Sequence, residues 1–255
     1  MADTVDRKEL ERLVKEVYGK VATEPHGHYH FETGRDVAEK LGYPPALLDR
    51  VPDQAVDSFA GVGYHFDLAN MRQGESILDL GSGSGMDSFV AAMQVGDTGS
   101  VVGIDMTAEQ LENARRLNVN TSGTIDFRDA RIEELPFEDE SFDVAVSNGV
   151  INLVEDKRKG FREISRVLKK GGRIAISNVV TEKQLDGEIV CDATPRASCI
   201  GGAMQQDNYR RAIEEAGMRI VEMRENPQYR FLSESAQEAS AEYGVKSISL
   251  LAERI

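Results

Sequence analysis

The chain has 255 residues, 40% of them hydrophobic, and a formal net charge of −14, enough for one large or two small domains around a substantial core. Lysine and arginine form no basic run, which argues against a nucleic-acid partner, and the acidity reads as solubility or as tolerance of a salty cytoplasm. No apolar run is long enough to span a membrane, Met1-Ala-Asp-Thr-Val-Asp6 carries no signal-peptide pattern, and two cysteines, Cys191 and Cys199, make no disulfide framework; the expectation is a cytoplasmic protein.

Residues 9–21 place Leu10, Leu13, Val14 and Val17 on one helical face, and Tyr18-Gly19-Lys20 ends that helix. Residues 24–30 hold three of the four histidines. No nearby cysteine or spaced acid pair completes a zinc pattern, so the stretch reads as a polar loop and no metal is expected. Short helices follow at 36–41, stopped by Gly42 and Pro44-Pro45, and at 45–50, stopped by Pro52. Residues 57–67 mix Phe59, Val62, Tyr64 and Phe66 with two glycines. Such a loop can cover a ligand, or it can plug the space between the N-terminal helices and a sheet.

The next stretch organises the rest. Ile77, Leu78 and Leu80 read as a buried strand, Gly81-Ser-Gly-Ser-Gly85 as a forced turn, and residues 87–94 as a helix with Phe89, Val90 and Met93 inward. Strand, glycine turn and helix open a nucleotide-binding unit, because the glycines admit a ligand close to the backbone and the helix start offers free N–H groups. Residues 100–105 form a second strand tipped by Asp105, about 20 residues beyond the glycines and placed for a ribose hydroxyl pair. The glycine spacing is not that of dinucleotide binders, and Asp79 on the first strand repels a pyrophosphate but welcomes a cation. That combination points to S-adenosylmethionine, against the alternative of a plain tight turn.

Thr107 is placed to cap the following helix, with Gln110 as its capping-box partner and Leu111, Ala114 and Leu117 inward. Residues 124–128 read as a third strand, followed by Arg131 and Ile132 where an adenine would lie. Residues 142–147 read as a fourth strand, with Asn148-Gly149 at its carboxyl end, where open α/β sheets bind ligands. Asn148 is expected to line the methionine end of the cofactor largely through its backbone carbonyl. A helix over 155–169 is expected to stop at Gly171-Gly172, before a fifth strand at 173–179. Beyond Thr181 the pattern weakens, with a helix at 206–216, a strand at 218–223, partial helix at 237–243 and a last strand at 245–252.

This alternation implies an α/β fold. A doubly wound, mainly parallel seven-stranded sheet carries helices on both faces, and its last two strands form an antiparallel edge pair. Residues 1–70 are expected to form a helical lid, 71–180 the cofactor-binding core, and 181–255 a substrate-lid insertion plus the closing strands. Around the cofactor the expected residues are Asp79, Gly81, Ser82, Gly83, Asp105, Met106, Arg131, Ile132 and Asn148.

Leu78-Asp-Leu-Gly-Ser-Gly-Ser-Gly85, Asp105, Leu135-Pro136-Phe137 and Arg166-Val-Leu-Lys-Lys-Gly-Gly-Arg173 together resemble class I S-adenosylmethionine-dependent methyltransferases. Val17-Tyr-Gly-Lys-Val21, Ser58-Phe-Ala-Gly-Val-Gly63, Ser147-Asn-Gly-Val-Ile-Asn-Leu153 and Cys199-Ile-Gly-Gly-Ala203 look like the arsenite methyltransferases within that class. The resemblance runs to about Gly217. It implies methyl transfer from S-adenosylmethionine to a small acceptor, with Tyr18, Tyr64, Gly149 and Cys199 at the acceptor end and Cys199 in the chemistry. In the arsenite family position 149 is a cysteine that binds arsenic together with the one at Cys199, so Gly149 is a departure. It leaves open a metalloid acceptor or an organic molecule methylated at carbon, nitrogen, oxygen or sulfur. A non-catalytic cofactor-binding protein and a nicotinamide-dependent oxidoreductase are the alternatives from other classes. Oligomeric state is not legible.

Overall fold

The computed structural model describes residues 7–119, 125–185 and 200–255. Its centre is a single sheet. Strands β1 (Ser76–Leu80), β2 (Ser100–Asp105), β3 (Ile125–Asp129), β4 (Phe142–Asn148) and β5 (Leu168–Thr181) run parallel in the order β3-β2-β1-β4-β5. The period-two alternation of the central strands feeds two apolar layers. Ile77, Val144 and Val146 face one side, packed with α6 (Met86–Val95) and α7 (Ala108–Asn118). Leu78, Leu80 and Ala145 face the other, packed with α8 (Lys157–Val167) and α9 (Gln206–Glu215).

The short N-terminal helices α2 (Arg35–Leu41), α3 (Pro45–Leu48), α4 (Asp53–Asp57) and α5 (Phe66–Ala69) bury Leu41, Tyr43, Leu48 and Phe66 in the first of these layers. Helix α1 (Arg7–Thr23) lies instead over the carboxyl ends of the strands, with Val14 packed against Met106 and Leu153.

Three features differ from the sequence reading. Strand β8 (Lys246–Arg254) is antiparallel to both β5 and β7 (Met218–Glu225), and it lies between them. The antiparallel pair is present, but the last strand is inside the sheet and β7 is its edge; α10 (Glu234–Tyr243) makes the return. An eighth strand, the two-residue β6 (Met204–Gln205), pairs with the end of β5. Helix α8 stops at Val167, and the Gly171-Gly172 pair belongs to β5 rather than to a helix cap. Gly171 adopts φ +73°, and the register against β4 shifts there, so the glycines serve a bulge. Among the described residues no helix is long and apolar enough to cross a membrane.

Candidate functional site

The carboxyl ends of β1, β2 and β4 open onto a cleft whose floor is the glycine turn and whose far wall is α1. The N–H groups of Gly81 and Ser82 both donate to the Ile104 carbonyl at 2.8 Å, stitching the turn to β2. Gly81 sits at φ +75° and Gly85 at φ +96°. A Cβ at Gly81 would lie 2.4 Å from Val150, and one at Gly85 would lie 2.8 Å from Phe127. The turn therefore needs glycine for conformation and for close packing alike. Between them the Ser82 hydroxyl is buried and has no hydrogen-bond partner among the described residues.

Below the turn lie two buried carboxylates. Asp79 accepts from Ser88 Oγ at 2.6 Å. Asp87, in the first turn of α6, accepts from Tyr43 Oη at 2.6 Å and from Asn148 Nδ2 at 3.3 Å. Burial pushes Asp79 up to about 8, with Asp87 adding repulsion, and burial pushes Asp87 up to about 6 against its hydrogen bonds. Neither has a cationic side chain among the groups acting on it. The ionised form of this pair has no compensating charge beside it, so a bound cation would favour ionisation.

Asp105 closes β2 at the mouth of the cleft. Its Oδ2 accepts from the Gly83 N–H at 2.9 Å and its Oδ1 from the Thr107 N–H at 2.8 Å. Each oxygen keeps a lone pair for a further donor. Burial raises this group too, and the backbone N–H bonds pull against that shift.

Beyond Asp105, Met106, Ile132 and Leu153 give an apolar end to the cleft. Arg131 does not present a free cation there. Its guanidinium pairs with Glu11 of α1 and lies 3.9 Å from Glu133. Gln110 is not a capping-box partner, and Thr107 makes no side-chain cap. Instead Gln110 Oε1 accepts from Ser84 Oγ at 2.6 Å while its Nε2 donates to the Tyr18 carbonyl at 2.9 Å.

Asn148 lines the cleft, and its side chain serves the loop before β1. Its side chain is fully engaged: Oδ1 accepts from the Val62 N–H at 2.8 Å, and Nδ2 donates to the Gly63 carbonyl at 3.0 Å and to Tyr43 Oη at 3.1 Å. Loop 57–67 is both plug and wall. Val62 and Phe66 are buried in the core, while Phe59, Ala60 and Gly61 line the cleft. Tyr64 is not brought to the cleft; its ring packs on Tyr43 with centroids 4.8 Å apart, and its carbonyl is held by Ser249 and Arg224. Tyr18, Gly149 and the remaining expected cofactor residues do line the cleft. Cys191 and Cys199 lie outside the described residues. Among the described residues no three His, Cys, Asp or Glu side chains are grouped to hold a metal ion.

Sequence reasoning missed Asp87, Tyr43, Gln110 and Glu11. Asp87 looks like an ordinary acid in a helix's first turn, and the other three reach the site only through tertiary contacts.

An open, mainly parallel sheet with an acid-bearing first strand, a glycine turn and an acid-tipped second strand defines a Rossmann-like ligand-binding fold. Residues 71–217 match the methyltransferase domain family, and the chain belongs to it. It is 37% identical over 234 residues to an arsenite methyltransferase of Halobacterium salinarum, covering 86% of this chain and 59% of that protein. It is 41% identical over 198 residues to one of Aquipseudomonas alcaligenes, covering 73% and 57%. The chain thus spans less than two thirds of these relatives. Among solved structures it superposes on an arsenic(III) S-adenosylmethionine methyltransferase from Chlamydomonas reinhardtii with TM-score 0.64 and 28% identity, covering 87% of this chain and 74% of that one.

Proposed function

We propose that this chain is an S-adenosylmethionine-dependent methyltransferase acting on a small acceptor in the cytoplasm. The observation that carries the reading is the buried Asp79–Asp87 pair beside the glycine turn, which has no cationic partner among the described residues. A ligand with an ammonium and a sulfonium supplies the missing positive charge. A dinucleotide's pyrophosphate would add to the repulsion, which disfavours the nicotinamide alternative. Ser82 Oγ, Asp105 and the apolar end at Met106 and Ile132 offer a hydroxyl, a ribose acceptor and an adenine surface in sequence along one cleft.

When bound, such a cofactor supplies a methyl group that passes to an acceptor lone pair while its sulfur keeps the bonding electrons. The chain's own part is to bind, orient and exclude water. Asp79 and Asp87 hold the cationic end, Asp105 fixes the ribose, and α1 with Phe59 shields the cleft. Calorimetry with S-adenosylhomocysteine and with NADH tests the reading; NADH binding without S-adenosylhomocysteine binding would overturn it.

The relatives' names point to arsenite as acceptor. Arsenite is thiophilic and is held well by two or three thiolates, because each added bond is intramolecular. This chain has two cysteines in all, and glycine at position 149. An organic acceptor is therefore the second reading, favoured by glycine in place of a thiol at position 149, which lines the cleft. Mass spectrometry of products from wild type, Cys191→Ser, Cys199→Ser and Gly149→Cys, each given arsenite and a thiol reductant, separates the two. The thiolate account expects weak wild-type turnover, lost in Cys199→Ser and raised in Gly149→Cys. Strong wild-type methylation surviving either serine variant would refute it.

A further inference from the structure

Gln110 occupies the third position of α7, where a capping box would turn its side chain back onto its own helix. It points elsewhere. The side chain is 3% exposed, and its two ends join two different elements. Oε1 accepts a hydrogen bond from Ser84 Oγ, inside the glycine turn, and Nε2 donates to the carbonyl of Tyr18, on α1. Ser84 is itself buried. No other side chain described above touches both the turn and that helix.

Two further polar ties on α1 act nearer its ends. Asn113 Nδ2 donates to the Ala22 carbonyl at 2.8 Å near one end, and Glu11 pairs with Arg131 near the other. The Arg131–Glu11 pair is partly solvated and weakens in salt. The Gln110 bridge lies between them, buried at its Ser84 end and part-buried at its Tyr18 end, where an unmade hydrogen bond is costly.

We infer that Gln110 is a positioning residue that locks α1 across the cleft to the glycine turn, so that a ligand seated on the turn leaves only when this bridge opens. The inference rests on the cofactor reading above for the identity of that ligand. The linkage runs both ways: a ligand that orders the turn tightens α1, and loosening α1 speeds the ligand's departure.

Gln110→Glu is the test, because it keeps the shape and the acceptor facing Ser84 but sets an oxygen against the Tyr18 carbonyl. Hydrogen exchange of the unliganded protein should show α1 exchanging about tenfold faster, with peptides of β1 and β4 unchanged. Stopped-flow release of S-adenosylhomocysteine should accelerate by a similar factor. Exchange of α1 equal to wild type overturns the lock. So does faster exchange with unaltered release from a protein that binds the ligand. Failure of wild type to bind S-adenosylhomocysteine would instead fall on the cofactor reading, and the exchange comparison then decides the lock alone. Ser84→Ala guards against a folding artefact. It removes the other end of the bridge without placing a charge in the interior, and it should also speed release.

Discussion

Gly149 and Asp105 show how single positions carry both backbone and site. Gly149 sits at φ +75°, with its N–H donating to the Ser177 carbonyl at 2.8 Å. The space beside it is adequate, for an added Cβ would have Val62 Cγ1 as its nearest neighbour at 3.5 Å. The penalty for Gly149→Cys is thus conformational, about 1–2 kcal/mol, and denaturant titration should find it. Gly149→Leu carries the same penalty and extends its side chain between Val62 and Ala60, so it should also lose methyl transfer. Full activity in that variant would mean that this strand end is remote from the acceptor. At Asp105 the two backbone N–H bonds alter what an alanine does. Asp105→Ala should weaken S-adenosylhomocysteine binding by roughly 2–3 kcal/mol, through the loss of charge-assisted bonds to the ribose. It should also lower the melting temperature without ligand, because Gly83 and Thr107 lose their acceptor. Calorimetry returning the wild-type affinity would refute the ribose role.

The loop before β1 is the element on which the acceptor side of the cleft depends. Beyond Asn148, it is pinned by a buried polar layer. Ser247 Oγ donates to the Val62 carbonyl at 2.6 Å, Ser249 Oγ to the Tyr64 carbonyl at 3.2 Å, and His65 Nδ1 lies 3.2 Å from Ser177 Oγ. Gly63 is the residue that permits this, as a Cβ there would fall 2.2 Å from Asn226 Nδ2. Asn148→Ala would leave the Val62 N–H and the Gly63 carbonyl without their partner, and should cost about 1–3 kcal/mol in urea denaturation. It should disturb acceptor turnover more than cofactor affinity. A variant as stable as wild type would show that the loop holds without this clamp. These contacts also mark where sequence reading stops. The strand, glycine turn, acid and helix at 76–105 were legible because each is signalled by neighbours in the chain. The clamp from Asn148 to Val62 spans 86 residues and leaves no periodic trace. The same holds for β8 lying between β5 and β7, since an apolar strand looks alike at an edge and inside a sheet. Gly171-Gly172 misled for a local reason: a glycine at positive φ serves a helix cap and a bulge equally well.

Across the whole molecule, the buried carboxylates make stability and ligand binding respond to pH in opposite senses. Asp79 at about 8 and Asp87 at about 6 both stand above the ordinary value of 3.8. The native state therefore holds protons that the unfolded chain releases above pH 4. By linkage this pair's contribution is fully present below about pH 4, and it is lost as pH rises through 6 toward 8. Carboxylates held down by cations, such as Glu163 beside Arg166 and Asp143 beside Lys169, act with the other sign and lose their contribution only as pH falls into the acid range. The unliganded protein should thus lose stability between about pH 4 and 8, most steeply below about 6 where both groups contribute, and Asp79→Asn should flatten the slope above about pH 6 while leaving the acid limb alone. A cationic ligand favours the ionised pair, so its binding should release protons and tighten as pH rises from 6 to 8. Calorimetry in two buffers of different ionisation enthalpy reads the proton count directly. Asp79→Asn should bind S-adenosylhomocysteine more weakly and yet unfold at higher urea than wild type at pH 8. If it loses stability and affinity in equal measure, Asp79 is a packing residue, and the charge account of the cleft fails with it.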